Sequence, residues 1–254
     1  MPAVTEIARA VEEIAPLELK EDWDNVGALV NCGGEVSHVL VALDITDEVV
    51  NEAEAEGCQL VLAHHPVIFA PIKQIAHGDV VYRMVKKGIS AVCAHTNLDA
   101  ATGGVNDILA ALFGLGEVQV FAGLGRVGNL PAPVPAKKLA EASAVRFRTP
   151  VRLADSGRPV TRLAVLGGSG GGLLAEALAA GADGIVTGEA DHHDAIDAVH
   201  AGVSMIVAGH FASEWPVVPV LAKWLAGKYP ELKVTVSRRN KDPFTTVNPK
   251  VTKG

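Results

Sequence analysis

The chain is poor in several residue types that would announce a special environment. Aromatic side chains make up 4% of its 254 residues, too few for a stacking surface that follows a nucleic acid strand. Cysteine is scarce: Cys32, Cys58 and Cys93 stand far apart without a C-x-x-C pair, which excludes a disulfide framework and a thiolate zinc knuckle. Basic residues are in deficit, 22 Lys and Arg against 29 Asp and Glu for a net charge of −7, so no dominant electrostatic hold on nucleic acid or anionic lipid is expected. No apolar run approaches the roughly 18 uncharged residues of a spanning helix. The N-terminus, MPAVTEIARAVEEIAP, is acidic and amphipathic where a signal peptide is basic and then apolar. These absences lead to the expectation of a cytoplasmic protein with no membrane or nucleic-acid partner.

Aliphatic residues are abundant: the chain is 49% apolar and 20% charged, the balance of a folded globular protein. At roughly 150 residues per domain the length allows one large domain or two small ones. Short aliphatic runs alternate with amphipathic stretches, the pattern of βαβ units and a mainly parallel sheet. Helices are predicted over 4–14, 47–56, 80–87, 105–113, 136–143, 173–180, 192–201 and 214–227. Strands are predicted over 28–31, 39–44, 59–63, 90–94, 118–127, near Val145, and over 161–166, 184–187, 205–208 and 233–238. The prolines of LPAPVPA, 130–136, read as a boundary or an exposed crossover, because proline cannot continue a helix or a central strand. The expected organisation is a first α/β lobe over 1–128, which contributes to the packing of a second over 129–240. A polar, extended or mobile tail follows over 241–254.

Several aliphatic strands finish in nearly the same word: EGCQLVLAHHP, KGISAVCAHTNLD and AGVSMIVAGHFASE, with AGADGIVTGEADHH beside them. Each of the first three ends in Ala followed by His within two residues. Sites in open parallel sheets form outside the carboxyl ends of the strands, so His64, His65, His95, His192, His193 and His210, with Asp99, Glu189, Asp191 and Glu214, are brought into one candidate region. Imidazole and carboxylate without thiolate suit zinc, manganese, iron, cobalt or nickel. His64 and His65, as neighbours on a strand, are expected to point to opposite faces, which hints at two metals. His95 can serve as ligand, proton shuttle or support. Glu214, just before Pro216, is expected in the first turn of a helix, where a carboxylate also suits the helix dipole. His193, Asp197 and His200 fit a solvated stripe at helical spacing. The glycine run Gly167 to Gly172 resembles a phosphate-cradling turn but lacks the following Lys-Ser or Lys-Thr. No G-x-S-x-G elbow is present.

The words EDWDNVG, AHHPVIF, AHTNLDAA, GGSG, TGEADHH and AGHFASE, in this order, resemble the YbgI/YqfO family of dinuclear-metal proteins, whose members are often named GTP cyclohydrolase 1 type 2 homologues. The likeness runs from Trp23 to the DPF at 242–244. It implies two similar α/β lobes with a dinuclear site between them at the strand C-terminal ends, and a toroidal homohexamer. It implies His64, His65, Asp99, His210 and Glu214 as ligands of two divalent ions. In that scheme Glu214 bridges, His65 and Asp99 hold one ion, and His64 and His210 hold the other. His95 and Glu189 fall near the centre without being ligands, and the inserted domain of some relatives is missing. The implied activity is metal-dependent hydrolysis of a small polar molecule, on the GTP-like reading by attack of hydroxide on the imidazole ring of guanine, with His95 as the catalytic proton shuttle. The competing class is a non-enzymatic metal carrier or regulatory interaction protein.

Overall fold

The structure is a computed structural model and describes residues 1–247. In chain order the first half comprises α1 (Val4–Ile14), β1 (Gly27–Val30), β2 (His38–Ala42), α2 (Asp47–Glu56), β3 (Leu60–Ala63), α3 (Val80–Lys87), β4 (Ser90–Cys93), α4 (Thr96–Ala100) and α5 (Val105–Leu112). It continues with β5 (Gly116–Phe121), β6 (Gly125–Pro135), α6 (Ala136–Phe147), β7 (Arg152–Ala154), β8 (Pro159–Leu166), α7 (Leu174–Ala179) and β9 (Gly184–Thr187). Then come α8 (His192–His200), β10 (Ser204–Val207), α9 (His210–Glu214), α10 (Val217–Lys228) and β11 (Lys233–Val236).

These elements form a mixed α/β fold with two sheets. The first has the order β1-β4-β3-β2-β11 and is parallel except at β1. The short all-aliphatic strands explain its double cover, since alternate residues face opposite sides of a sheet. Val39, Val41, Leu60 and Leu62 pack beneath α1 and α10, while Leu40, Ala42, Val61 and Ala63 pack beneath α2 and α3. The second sheet, β5-β6-β8-β9-β10-β7, repeats the plan. Leu163, Val165, Val186 and Ile206 face α5 and α6, and Ala164, Ile185 and Met205 face α7 and α8.

The chain departs from several expectations. The second sheet keeps a parallel centre, β8-β9-β10, but gains antiparallel neighbours β5, β6 and β7. The single strand expected over 118–127 is a hairpin, because Ala122 and Gly123 both take positive φ and turn β5 into β6. The prolines after Leu130 do not form a crossover; they lie within β6. They are tolerated because β5 pairs only with 125–129, leaving this half of β6 an edge, and the ladder to β8 is interrupted between Asn129 and Val134. Val145 belongs to α6, whose buried positions Leu139, Ala140, Ser143 and Phe147 keep helical spacing beyond Ser143. β5 and β6 join the second sheet, whereas α10 and β11 return to the first. Just before the expected tail, the Asn240 side-chain oxygen accepts from the amides of Leu43 and Asp44; residues 248–254 of the tail lie outside the described residues. No helix among the described residues is long and apolar enough to cross a membrane.

Candidate metal centre

The carboxyl ends of strands from both sheets deliver side chains to one place. From the first sheet come Asp44 after β2, His64 and His65 after β3, and His95 and Asp99 after β4; from the second come Glu189 after β9 and His210 after β10. The five-residue helix α9 then carries Glu214 one turn beyond His210, so both side chains share a face. Glu214 therefore ends a short helix instead of beginning a long one. The break at Trp215 and Pro216 separates α9 from α10, and the carboxylate is aimed at the histidines rather than at a helix N-terminus.

Glu214 is buried at the focus. His65 Nε2 lies 3.0 Å and His210 Nε2 3.1 Å from its Oε2, while His64 Nε2 lies 3.9 Å from its Oε1 and 3.6 Å from Asp99 Oδ1. His64 and His65 follow the end of β3, and their rings sit 5.0 Å apart on the same side. The expected opposition of faces does not hold, because strand geometry stops at Ala63. The ligand atoms fall into three overlapping groups: His64, Asp99, Glu214; His65, His210, Glu214; and His64, His65, His95.

Each histidine is oriented through its other nitrogen. His64 Nδ1 donates to the Ala94 carbonyl at 2.8 Å, His65 Nδ1 meets Asp44 Oδ1 at 2.7 Å, and His210 Nδ1 meets Glu189 Oε2 at 3.2 Å. This is how proteins fix the tautomer of a metal-ligating imidazole. His64 is 0% exposed, and its Nε2 has no hydrogen-bond partner. Burial pushes the His64 imidazolium down to about 4, so the ring is neutral at pH 7 and its Nε2 presents a lone pair to buried carboxylates. Such an arrangement is unfavourable unless a cation stands between the groups.

The other rings tell the same story in protons. Burial works against the charged form of His65, but the bonds to Asp44 and Glu214 prevail and hold it up to about 10. The bond to Glu214 raises His210 to about 9 against its burial. Burial alone would raise Glu214; the facing His210 and His65 instead hold it well below the carboxylate range. Asp99 is raised by burial and by the charge of Glu214.

His95 borders the cluster, its ring 5.3 Å from that of His64 and 5.5 Å from that of His65. Its Nδ1 meets Asp24 Oδ1 at 2.9 Å, and Asp24 Oδ2 accepts from the Thr96 amide and hydroxyl. Burial would raise the Asp24 carboxyl, but these bonds outweigh it and hold it well below its ordinary value. Asp44 and Asp24 escaped the sequence reading. Asp44 closes LVALD in the same strand-end position as the histidines but with a carboxylate, and Asp24 lies inside EDWDNVG.

Other expected residues stand apart or play a different part. His192 and His193 are exposed on the first turn of α8, where Asp191 and Asp194 form the capping box. The Gly167 to Gly172 loop is no anion cradle. The amides of Gly167, Gly168, Gly170 and Gly171 are already donated to Asn106, Ser213, Thr187 and Glu189. Glycine is needed at 168 because this residue, at φ +61°, passes against Glu214 and the His210 ring, where a Cβ has no room. A further group, His38, Glu56 and Cys58, has the ordinary look of a buried histidine: both ring nitrogens of His38 are hydrogen-bonded, to Glu56 O and Thr235 Oγ1.

A family model described as Duf34/NIF3 (NGG1p interacting factor 3) matches residues 2–243. A Streptomyces coelicolor protein named GTP cyclohydrolase 1 type 2 homolog is 35% identical over 269 residues, covering 96% of this chain and 94% of that one. Among solved structures, a Staphylococcus aureus protein aligns with a TM-score of 0.87 at 27% identity, covering 97% of this chain and 99% of the other. A protein named ybgI, of unknown function, shares the fold with a TM-score of 0.84 at 24% identity over 93% of this chain and 98% of that one.

Proposed function

The chain belongs to the Duf34/NIF3 family, and from that premise we propose that it is a hydrolase of a small polar molecule that depends on two divalent metal ions. The name of the Streptomyces relative directs the choice of substrate toward a nucleotide. The observation that carries the reading is the buried, unpartnered Nε2 of His64 facing Asp99 and Glu214. A neutral imidazole nitrogen buried against two carboxylates is the kind of donor set that a cation satisfies.

On this reading His64, Asp99 and Glu214 would hold one ion, and His65, His210 and Glu214 the other, with the two oxygens of Glu214 turned to different groups. The donor set, nitrogen and oxygen without sulfur, suits zinc, manganese, iron, cobalt or nickel. When bound, such ions supply Lewis acidity, lowering the pKa of water and stabilising charge that develops on the substrate. The chain's own residues do the rest. Asp44 and Glu189 hold His65 and His210 in register. Asp24 fixes the His95 ring so that its Nε2 takes a proton from the attacking water and returns it to the leaving group. Assembly as a homohexameric ring rests on the sequence resemblance.

Two substitutions test this. Glu214→Gln keeps the shape but removes the charge shared by both groups, so metal analysis should fall from two ions per chain to one or none, and hydrolysis of GTP in the presence of Mn²⁺ or Zn²⁺ should collapse. His95→Ala should keep both ions while turnover falls by roughly 10²- to 10⁴-fold. Metal-replete protein that turns over no nucleotide yet passes its ions to an acceptor would establish the carrier instead. Light scattering on the same samples reads the assembly, a hexamer in favour and a monomer against.

A further inference from the structure

A chain with 4% aromatic residues places two of them in solvent beside the candidate centre. Trp23 is 58% exposed and Phe69 57% exposed. Their ring centroids are 5.6 Å apart at 46°, and both stand edge-on to His95, at 6.0 and 6.3 Å. His95 is in turn the neighbour of His64 and His65. The pair thus lies one imidazole away from the proposed ligands.

The segments that carry the two rings are tied to their surroundings by hydrogen bonds. Asp24, next to Trp23, is buried and bonded to His95 and Thr96. Asn25 donates its side-chain amide to the Ile68 carbonyl at 2.6 Å, tying the Trp23 segment to the residue before Phe69. Glu21 is anchored by its amide to Thr96 Oγ1. Apolar surface exposed on tethered backbone next to a polar site is a recognition surface, and aromatic faces recognise flat rings by stacking. The 5.6 Å separation leaves no slot between the two rings, so a ligand ring would lie on their outer faces with its edge toward His95.

We infer that Trp23 and Phe69 form the stacking platform for a planar heteroaromatic ring of the molecule that this centre processes, and so set its substrate class. The inference rests on the hydrolase reading for the word substrate, but its test reads binding alone. The competing occupant is a second copy of the chain, seated on the same surface and on the exposed Ile72 and Ile75 of the following loop.

Metal-loaded protein is titrated calorimetrically with guanosine, adenosine and a pterin, with ribose as the ring-free control. The wild type should bind at least one of the ringed compounds and prefer it to ribose. Trp23→Ala and Phe69→Ala should each weaken that compound by about 10-fold, the scale of one lost stacking contact. Trp23→Phe should recover most of the loss, and metal content should stay unchanged in all variants. Affinity that is indifferent to both alanine substitutions, or no ringed compound bound at all, would overturn the inference while leaving the metal-based reading standing. So would a fall in assembly size in Trp23→Ala without a change in affinity, which would assign the surface to the second copy. Platform-dependent binding without any turnover would uphold it and count against hydrolysis.

Discussion

In the His65 ring one nitrogen faces Asp44 and the other faces Glu214; His210 is placed likewise between Glu189 and Glu214. Without metal, these carboxylates hold the two imidazolium groups up to about 10 and about 9. Folded values above the ordinary 6.5 mean that the protonated rings stabilise the metal-free chain fully below about pH 6.5, and that this contribution fades as pH rises through 9 to 10. A metal ion needs the unprotonated nitrogen, so binding at pH 7 should expel protons from both rings, and affinity should rise from pH 7 to 9. His64, neutral already, should add nothing to the release. Calorimetry of Zn²⁺ binding in two buffers of different ionisation heat measures this, and a proton count of zero would show that neither ring is a ligand.

Short elements do the positioning. Helix α9 spans only His210–Glu214, enough to align residues four apart, and the glycine loop after β8 gives these side chains room. Gly168→Ala would strain a left-handed residue, a cost of roughly 1 to 2 kcal/mol, and would press a methyl group on Glu214 and His210. The expected result is a modest loss of thermal stability with a larger loss of metal affinity. Gly172→Ala, where nothing lies within 4 Å of the added carbon, is the control, and metal titrations of both variants decide. Equal affinities would show that the loop does not support the centre. The element reading from sequence was sound where periodicity was long, as in α1, α2 and α3. It failed where a turn or a break decided, at Ala122 and Gly123, and at Pro216.

Across the whole molecule, the candidate ligands come from strand ends of two sheets whose elements interleave along the chain. Ions bound there would tie the sheets together and favour the folded state by mass action. At a free concentration 100 times the dissociation constant the gain is about 2.7 kcal/mol. At roughly 2 to 4 °C per kcal/mol for a chain of this size, that amounts to about 5 to 10 °C in Tm. Thermal unfolding with a chelator and with saturating Zn²⁺ should differ by this much, and Glu214→Gln should lose most of the difference. Equal midpoints in the wild type would remove metal as a cross-link between the sheets.

The sequence by itself determined the α/β class and the chemistry of the centre. Both are written locally: aliphatic strands of four or five residues alternate with amphipathic helices, and histidines and carboxylates recur at the strand ends. It also marked His64, His65, Asp99, His210 and Glu214, because their residue types and placement needed no long-range information. Tertiary structure alone decided which of them share a group, that Asp44, Glu189 and Asp24 orient the rings, and that β11 returns to the first sheet. It alone placed Trp23 and Phe69 against His95. Those outcomes depend on how two sheets meet, and thus on contacts between residues far apart in the chain, as when Asn240 accepts from the amide of Leu43, 197 positions away. No spacing pattern within a single segment carries that information.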